Sequence, residues 1–300
     1  VKRSAAVAVV AVALLAGAGC RRGAAPAGGS DAGARGPLAL VEQGRFDEAI
    51  AAVGDASDPE SLYVLGRAWA GKAAAAPVPP PEPGQSVPPL KAEEARALDF
   101  LERAVAARPD LAGAHLAIAD LLAPHALALL DAERQRPKGA AFVPPPGPDT
   151  SPERVLRSYA DAMQADPSGT EAGERLVRFA TSAERWPEVD AAYQELVKRR
   201  REDPDLLVRY GDFLAVHGGS PERALAQYAQ ALMWRPGDAA TRLKMADIYL
   251  SAASEHLSKR EYAAAEQRLR DAKRLNFDMA SAPGARLRDL EQQLKDIRGR

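Results

Sequence analysis

Between Asp203 and Asp238 the apolar positions fall into two short runs of helical period, and each run has its own start and stop. Leu207, Tyr210, Gly211 and Leu214 lie three or four residues apart, as do Ala224, Tyr228 and Ala231. That spacing puts each set on one face of a helix. Gly218-Gly219 interrupts the first run, Ser220-Pro221-Glu222 has the residue types that open a helix, and Pro236 closes the second. The pattern predicts two antiparallel amphipathic helices with one small residue on each, Gly211 and Ala224, where the backbones approach.

The same pattern recurs along the chain. Leu62-x2-Leu65-Gly66-x2-Trp69 copies the first helix, and Met245-Ala246-x2-Tyr249 and Ile118-Ala119-x2-Leu122 copy it with alanine for glycine. Ala97-x3-Leu101 and Val155-x3-Tyr159 copy the second helix, and their prolines, Pro109 and Pro167, follow twelve residues after the first position, as Pro236 follows Ala224. Pro167 and Pro236 stand about two 34-residue periods apart, with one extra residue at Gly218-Gly219. A helical bundle without repeats has no such fixed long period. This spacing resembles the tetratricopeptide family over roughly residues 38 to 277. The resemblance implies an all-α, right-handed helical-repeat solenoid of about six helix pairs.

Two copies are interrupted. Against the 34-residue period, Pro109 arrives about 19 residues late behind the Pro-rich stretch Pro77–Pro89, and Pro167 about 24 residues late behind Pro137–Thr150. Both insertions fall between the first and second helix of their pair, so the two arms should leave one face of the stack. Pro124 is expected to break or kink the long first helix of the third pair. The first pair is short, as end repeats often are, and the first helix of the sixth runs about two turns longer than the others. Leu287, Leu290, Leu294 and Ile297 form one apolar stripe on a last charged helix, expected to cap the stack. The solenoid is therefore placed at residues 37–281 and the cap at 282–300.

The N-terminus changes the picture. Lys2-Arg3, a short alanine- and valine-rich run and a Gly-Ala-Gly end precede Cys20, the single cysteine of the chain. The arrangement is that of a secretory signal over residues 1–19, and Leu14 to Cys20 resembles a bacterial lipoprotein signal, with Gly17 where that family has a larger aliphatic residue. The resemblance implies a lipid on Cys20 and attachment to a membrane. Arg21 and Arg22 follow where an inner-membrane lipoprotein carries aspartate, which favours the outer membrane facing the periplasm. Residues 20–36 read as the lipidated cysteine and a flexible tether of about 20–25 Å.

Composition narrows the function. A net charge of -1 argues against a general nucleic-acid binder, and no cysteine is left for a disulfide. His115, His125, His217 and His256 lack metal-ligand spacing and read as surface or loop residues. No phosphate loop, dinucleotide fingerprint or nucleophile elbow occurs, so no catalytic residues, cofactor or metal are expected. The basic run Lys198-Arg199-Arg200-Arg201 reads as a solvated helix end.

In the tetratricopeptide family ligands lie along the concave face of the first helices. Carried over by spacing, this implies a partner-binding groove of Tyr63, Arg67, Asp120, Arg178, Asp212 and Asp247. The function expected is a non-catalytic scaffold of the bacterial envelope that holds a protein or peptide in assembly or secretion. The alternatives are a periplasmic glycan-binding or polysaccharide-export accessory protein, whose groove should be rich in tryptophan, and an enzyme built on helical repeats.

Overall fold

A computed structural model describes residues 36–55, 57–78, 87–136, 145 and 147–299. The signal sequence, Cys20, the tether up to residue 35 and the middles of both Pro-rich arms lie outside the described residues, and so does the expectation that the arms are neighbours.

The described residues are all-α and fall into six successive helix pairs and a last helix. The pairs are α1 (Pro37–Glu42) with α2 (Phe46–Val53), α3 (Pro59–Ala75) with α4 (Ala92–Ala107), and α5 (Ala112–Gln135) with α6 (Pro152–Ala165). They continue with α7 (Glu171–Ser182) and α8 (Trp186–Arg199), α9 (Pro204–Val216) and α10 (Pro221–Trp234), and α11 (Ala239–Ser258) and α12 (Tyr262–Arg274). The last helix, α13 (Ala282–Arg298), packs on both α11 and α12. First helices also touch one another in order, α1 on α3, α3 on α5 and α5 on α7, so they build a shared face. The arms do separate the first and second helices of the second and third pairs.

Close approach within a pair is set by glycine against a large second-helix side chain. A Cβ at Gly211 would lie 2.5 Å from Tyr228 Cε1, and one at Gly66 2.5 Å from Leu101 Cγ. Gly211 thus makes room for the Tyr228 ring, and Gly66 does the same for Leu101 in the second pair, where the Ala97 carbonyl also comes within 3.2 Å of a Cβ.

Pair ends are tied by a second recurring contact. The arginine that ends the second helix reaches back to an acid in the first turn of the first helix: Arg108 to Glu60, Arg200 to Glu174 and Arg235 to both carboxylate oxygens of Asp205. Positive charge at a helix C-terminus and negative charge at an N-terminus each oppose the helix dipole. Water screens these exposed pairs, so they orient the helix ends more than they stabilise them.

Two expectations need correction. Of the break or kink expected at Pro124 the break does not occur, since α5 runs unbroken from Ala112 to Gln135 with Leu122 and Ala126 fully buried on either side of the proline. Docking of both halves outweighs the roughly 3 kcal/mol that an internal proline costs. Ser220 and Pro221 open α10 as expected, although the Ser220 side chain makes no capping bond. Ile297 is 37% exposed and stands at the edge of the cap stripe, whose buried members are Leu287, Leu290 and Leu294. α5 is long and apolar enough to cross a membrane, yet its alanines at 114, 119 and 126 and its Leu122 are fully buried against neighbouring helices, as in a core helix.

Five other helices, α3, α6, α9, α11 and α13, are capped by a side chain. Asp238 accepts hydrogen bonds from the backbone N–H of Ala240 (3.0 Å) and Thr241 (3.2 Å) and from Thr241 Oγ1 (2.7 Å). Asp238→Ala should therefore destabilise the protein by about 1 kcal/mol. Thermal melting followed by circular dichroism should show the loss, and Asp238→Asn should restore most of it.

Candidate functional site

The first helices α3, α5 and α7, with the end of α6, enclose a concavity of about 620 Å³. Tyr63 and Arg67 come from α3, one turn apart, and Arg67 Nη1 donates to the Tyr63 hydroxyl at 2.8 Å. Gly113 on α5 makes room for that phenol ring, because a Cβ there would sit 3.0 Å from Tyr63 Cζ. Asp120 and Arg175 line the far wall. Glu94 closes one end, accepting from the Lys91 backbone N–H at 2.8 Å and lying 3.1 Å from His125 Nε2. Burial raises the Glu94 pKa, but those two contacts outweigh it and hold the carboxyl below its ordinary value.

Two aspartates on this face are held by the same three-part arrangement. Asp120 on α5 accepts from the Tyr159 hydroxyl of its own pair at 2.9 Å and pairs with Arg175 of the next pair. Asp212 on α9 accepts from the Tyr228 hydroxyl of its own pair at 2.7 Å, and Lys244 Nζ of the next pair donates to both its oxygens at 2.6 Å. The stretch from Asp120 to Arg175 is longer than that from Asp212 to Lys244 by the same insertion that delays Pro167 by about 24 residues, less the extra residue at Gly218-Gly219. Each network ties a pair internally through tyrosine and to the following pair through a cation. Burial pushes both tyrosine hydroxyls well above their ordinary range, and the adjoining aspartates reinforce the shift, so both stay protonated donors. Burial also raises Asp120, while Arg175 and Tyr159 pull it back.

The six residues expected in the groove are therefore placed differently from one another. Tyr63, Arg67 and Asp120 line the 620 Å³ concavity. Asp212 lines a separate one of about 300 Å³ with Tyr193 and Arg209, and Asp247 a third of about 470 Å³ with Tyr249 and Arg268. Arg178 is exposed on α7, one turn before Thr181 of the second concavity. Arg67, Arg178 and Asp247 have no ion-pair partner among the described residues, whereas Asp120 and Asp212 are occupied internally. Arg175 and Lys244 join the site without being expected there. Their signal is positional, since both stand three residues before a groove position, Arg178 and Asp247, in the pair after an acidic one.

Other candidates are absorbed by packing. Arg199 donates to the carbonyls of Met163 (2.7 Å), Asp166 (3.0 Å) and Gly169 (2.6 Å), so it closes the C-terminus of α6. The basic run thus serves structure through Arg199 and Arg200. His115 is buried with Nε2 2.8 Å from the Pro109 carbonyl, so it is not the surface or loop residue expected, whereas His217 is exposed at the end of α9, where it stacks on Trp186 at 3.9 Å. Among the described residues no three His, Cys, Asp or Glu side chains gather as a metal would require.

No protein-family model and no curated protein matches the chain. Among solved structures it is similar to MamA MSR-1, at 16% identity and a TM-score of 0.39 over 67% of this chain and 92% of that one. It is similar to MamA from Desulfovibrio magneticus RS-1, residues 41 to the end, at 15% identity and a TM-score of 0.40 over 67% and 93%. It is also similar to TTC0263, a thermophilic TPR protein of Thermus thermophilus, at 20% identity and a TM-score of 0.35 over 71% and 96%. At these values the fold rests on the helix pairs themselves.

Proposed function

We propose that this protein is a non-catalytic scaffold, anchored in the bacterial envelope by a lipid on Cys20, that holds a protein or peptide partner on the face built by its first helices. The observation that carries the reading is the 620 Å³ concavity shared by α3, α5 and α7, with Tyr63 and Arg67 presented toward it. Its size suits a few side chains of a polypeptide. Arg67, Arg178 and Asp247 are the groups free to meet a partner, and Asp120 and Asp212 shape the face that presents them. The glycan alternative has less to stand on, because Trp69 lies against Lys72 and Arg96, 4.9 and 4.8 Å from its ring, and Trp186 is stacked on His217.

Crosslinking in the native envelope, followed by identification of what is captured, tests the reading. Arg67→Glu combined with Asp247→Lys should lower recovery of the captured protein several-fold, while shortening both Pro-rich arms should spare it. The reverse outcome would move the binding function to the arms. Labelled palmitate should enter the wild-type chain and not Cys20→Ser, and wild-type protein that stays unlabelled and leaves the membrane fraction would sink the anchor.

A further inference from the structure

The junction between the fourth and fifth pairs has no carboxylate where its counterparts carry one. At the junction of the third and fourth pairs the positions are Asp120, Tyr159 and Arg175, and at that of the fifth and sixth they are Asp212, Tyr228 and Lys244. The same register at the fourth and fifth pairs gives Arg178, Tyr193 and Arg209. These three keep the spacing of the later junction, shortened by the single residue that Gly218-Gly219 adds there. By register two cations and a phenol replace the cation, phenol and carboxylate of the other junctions: Tyr193 and Arg209 line one concavity, and Arg178 is exposed one turn before Thr181 at its edge.

The surroundings suit an anionic ligand. Tyr159 and Tyr228 spend their hydroxyls on aspartate, but the Tyr193 hydroxyl has no hydrogen bond among the described residues, although its ring stacks on Tyr210 at 5.2 Å. Burial raises the Tyr193 pKa, Arg209 opposes the shift and Asp212 adds to it, so the phenol lies within reach of the free cation and of the aspartate that Lys244 and Tyr228 hold. Neither Arg178 nor Arg209 has an ion pair among the described residues, and both are exposed. Tyr193 and Arg209 line the 300 Å³ concavity, whose other charged member, Asp212, is already held by Lys244 and Tyr228. Val216, 73% exposed, gives the concavity an apolar rim.

We infer that the junction of the fourth and fifth pairs receives a carboxylate from an acidic polypeptide partner, which Arg178, Arg209 and the Tyr193 hydroxyl hold as the protein's own aspartates are held at the two comparable junctions. Val216 beside the cations favours an acidic residue with an apolar neighbour. The inference rests on the scaffold reading and adds the chemistry of the partner. Guanidinium groups suit the task because their planar forks match a carboxylate.

The test uses the full chain and a display library of random twelve-residue peptides. Peptides enriched on the wild type should carry an excess of Asp and Glu, and Arg178→Glu with Arg209→Glu should lower their binding at least tenfold. A second readout needs no ligand. Arg178→Asp would supply the missing carboxylate from within, so it should raise the melting temperature by about 2–4 °C and suppress binding of the same peptides. Enriched peptides without an acidic excess, or binding that survives the double reversal, would overturn the inference and leave the scaffold reading standing. An Arg178→Asp protein no more stable than wild type would overturn it as well. A library from which the wild type enriches nothing would remove the scaffold reading and this inference together.

Discussion

Gly211→Leu should lower the melting temperature by roughly 2–12 °C. A Cβ at this position already falls 2.5 Å from Tyr228 Cε1 and 2.7 Å from Cδ1, inside any real contact, before the rest of the leucine is added. The ring has nowhere to go, because Tyr228 is 2% exposed and its hydroxyl is bound to Asp212. Forcing extra atoms into such packing costs about 1–3 kcal/mol, and a protein of this size loses about 2–4 °C for each. In a repeat stack each pair leans only on its neighbours, so amide exchange should quicken mainly in α9 to α12. Gly237→Ala is the control, since nothing lies within 4 Å of a Cβ there and its melting should be unchanged. Equal melting of both variants would mean that α9 and α10 do not pair in this register.

The repeats are legible because their signals are local. Helical period, a small residue in the first helix and a proline at fixed distance identify the second, third and fifth pairs without reference to any other. The lateness of Pro109 and Pro167 reveals both arms. The helix break expected at Pro124 fails because propensity is local and docking is not, and Leu122 and Ala126 decide the matter through neighbours far along the chain. The large side chain that Gly211 admits is likewise beyond a local signal. Spacing places Gly211 and Ala224 on facing sides of their helices, but only the structure shows the Tyr228 ring against Gly211.

The aspartates of the first-helix face are harder still. Spacing puts Asp120 and Asp212 on the first-helix face, and that is where they lie. Their cations, Arg175 and Lys244, come from the next pair, and a pattern for one pair carries no information about what its successor brings. Arg67, Arg178 and Asp247 remain open because the matching positions next to them hold no opposite charge. The face is therefore written in the relation between successive repeats, which a single-repeat template does not contain.

That relation predicts the second large effect. Arg175→Leu should destabilise the protein by about 1–3 kcal/mol, through loss of the main positive charge on Asp120. A fully buried pair would lose more, but both side chains here are 35% exposed, and water softens the loss. The pH dependence distinguishes this cause from lost packing. Burial holds Asp120 above the ordinary carboxylate range, with Arg175 the strongest opposing influence, so removing Arg175 should raise its pKa further. A carboxyl whose folded pKa lies above its unfolded value destabilises the fold while ionised, and protonation relieves that penalty. The deficit of Arg175→Leu relative to wild type should thus be full at neutral pH and shrink as pH falls through the raised pKa toward about 4. Denaturant unfolding over that range would show it, and in an Asp120→Asn background the Arg175→Leu deficit should become smaller and independent of pH. A deficit that stays constant with pH beside Asp120 itself would mean that Arg175 contributes only its packing, and that the cation of the next pair does not hold this aspartate.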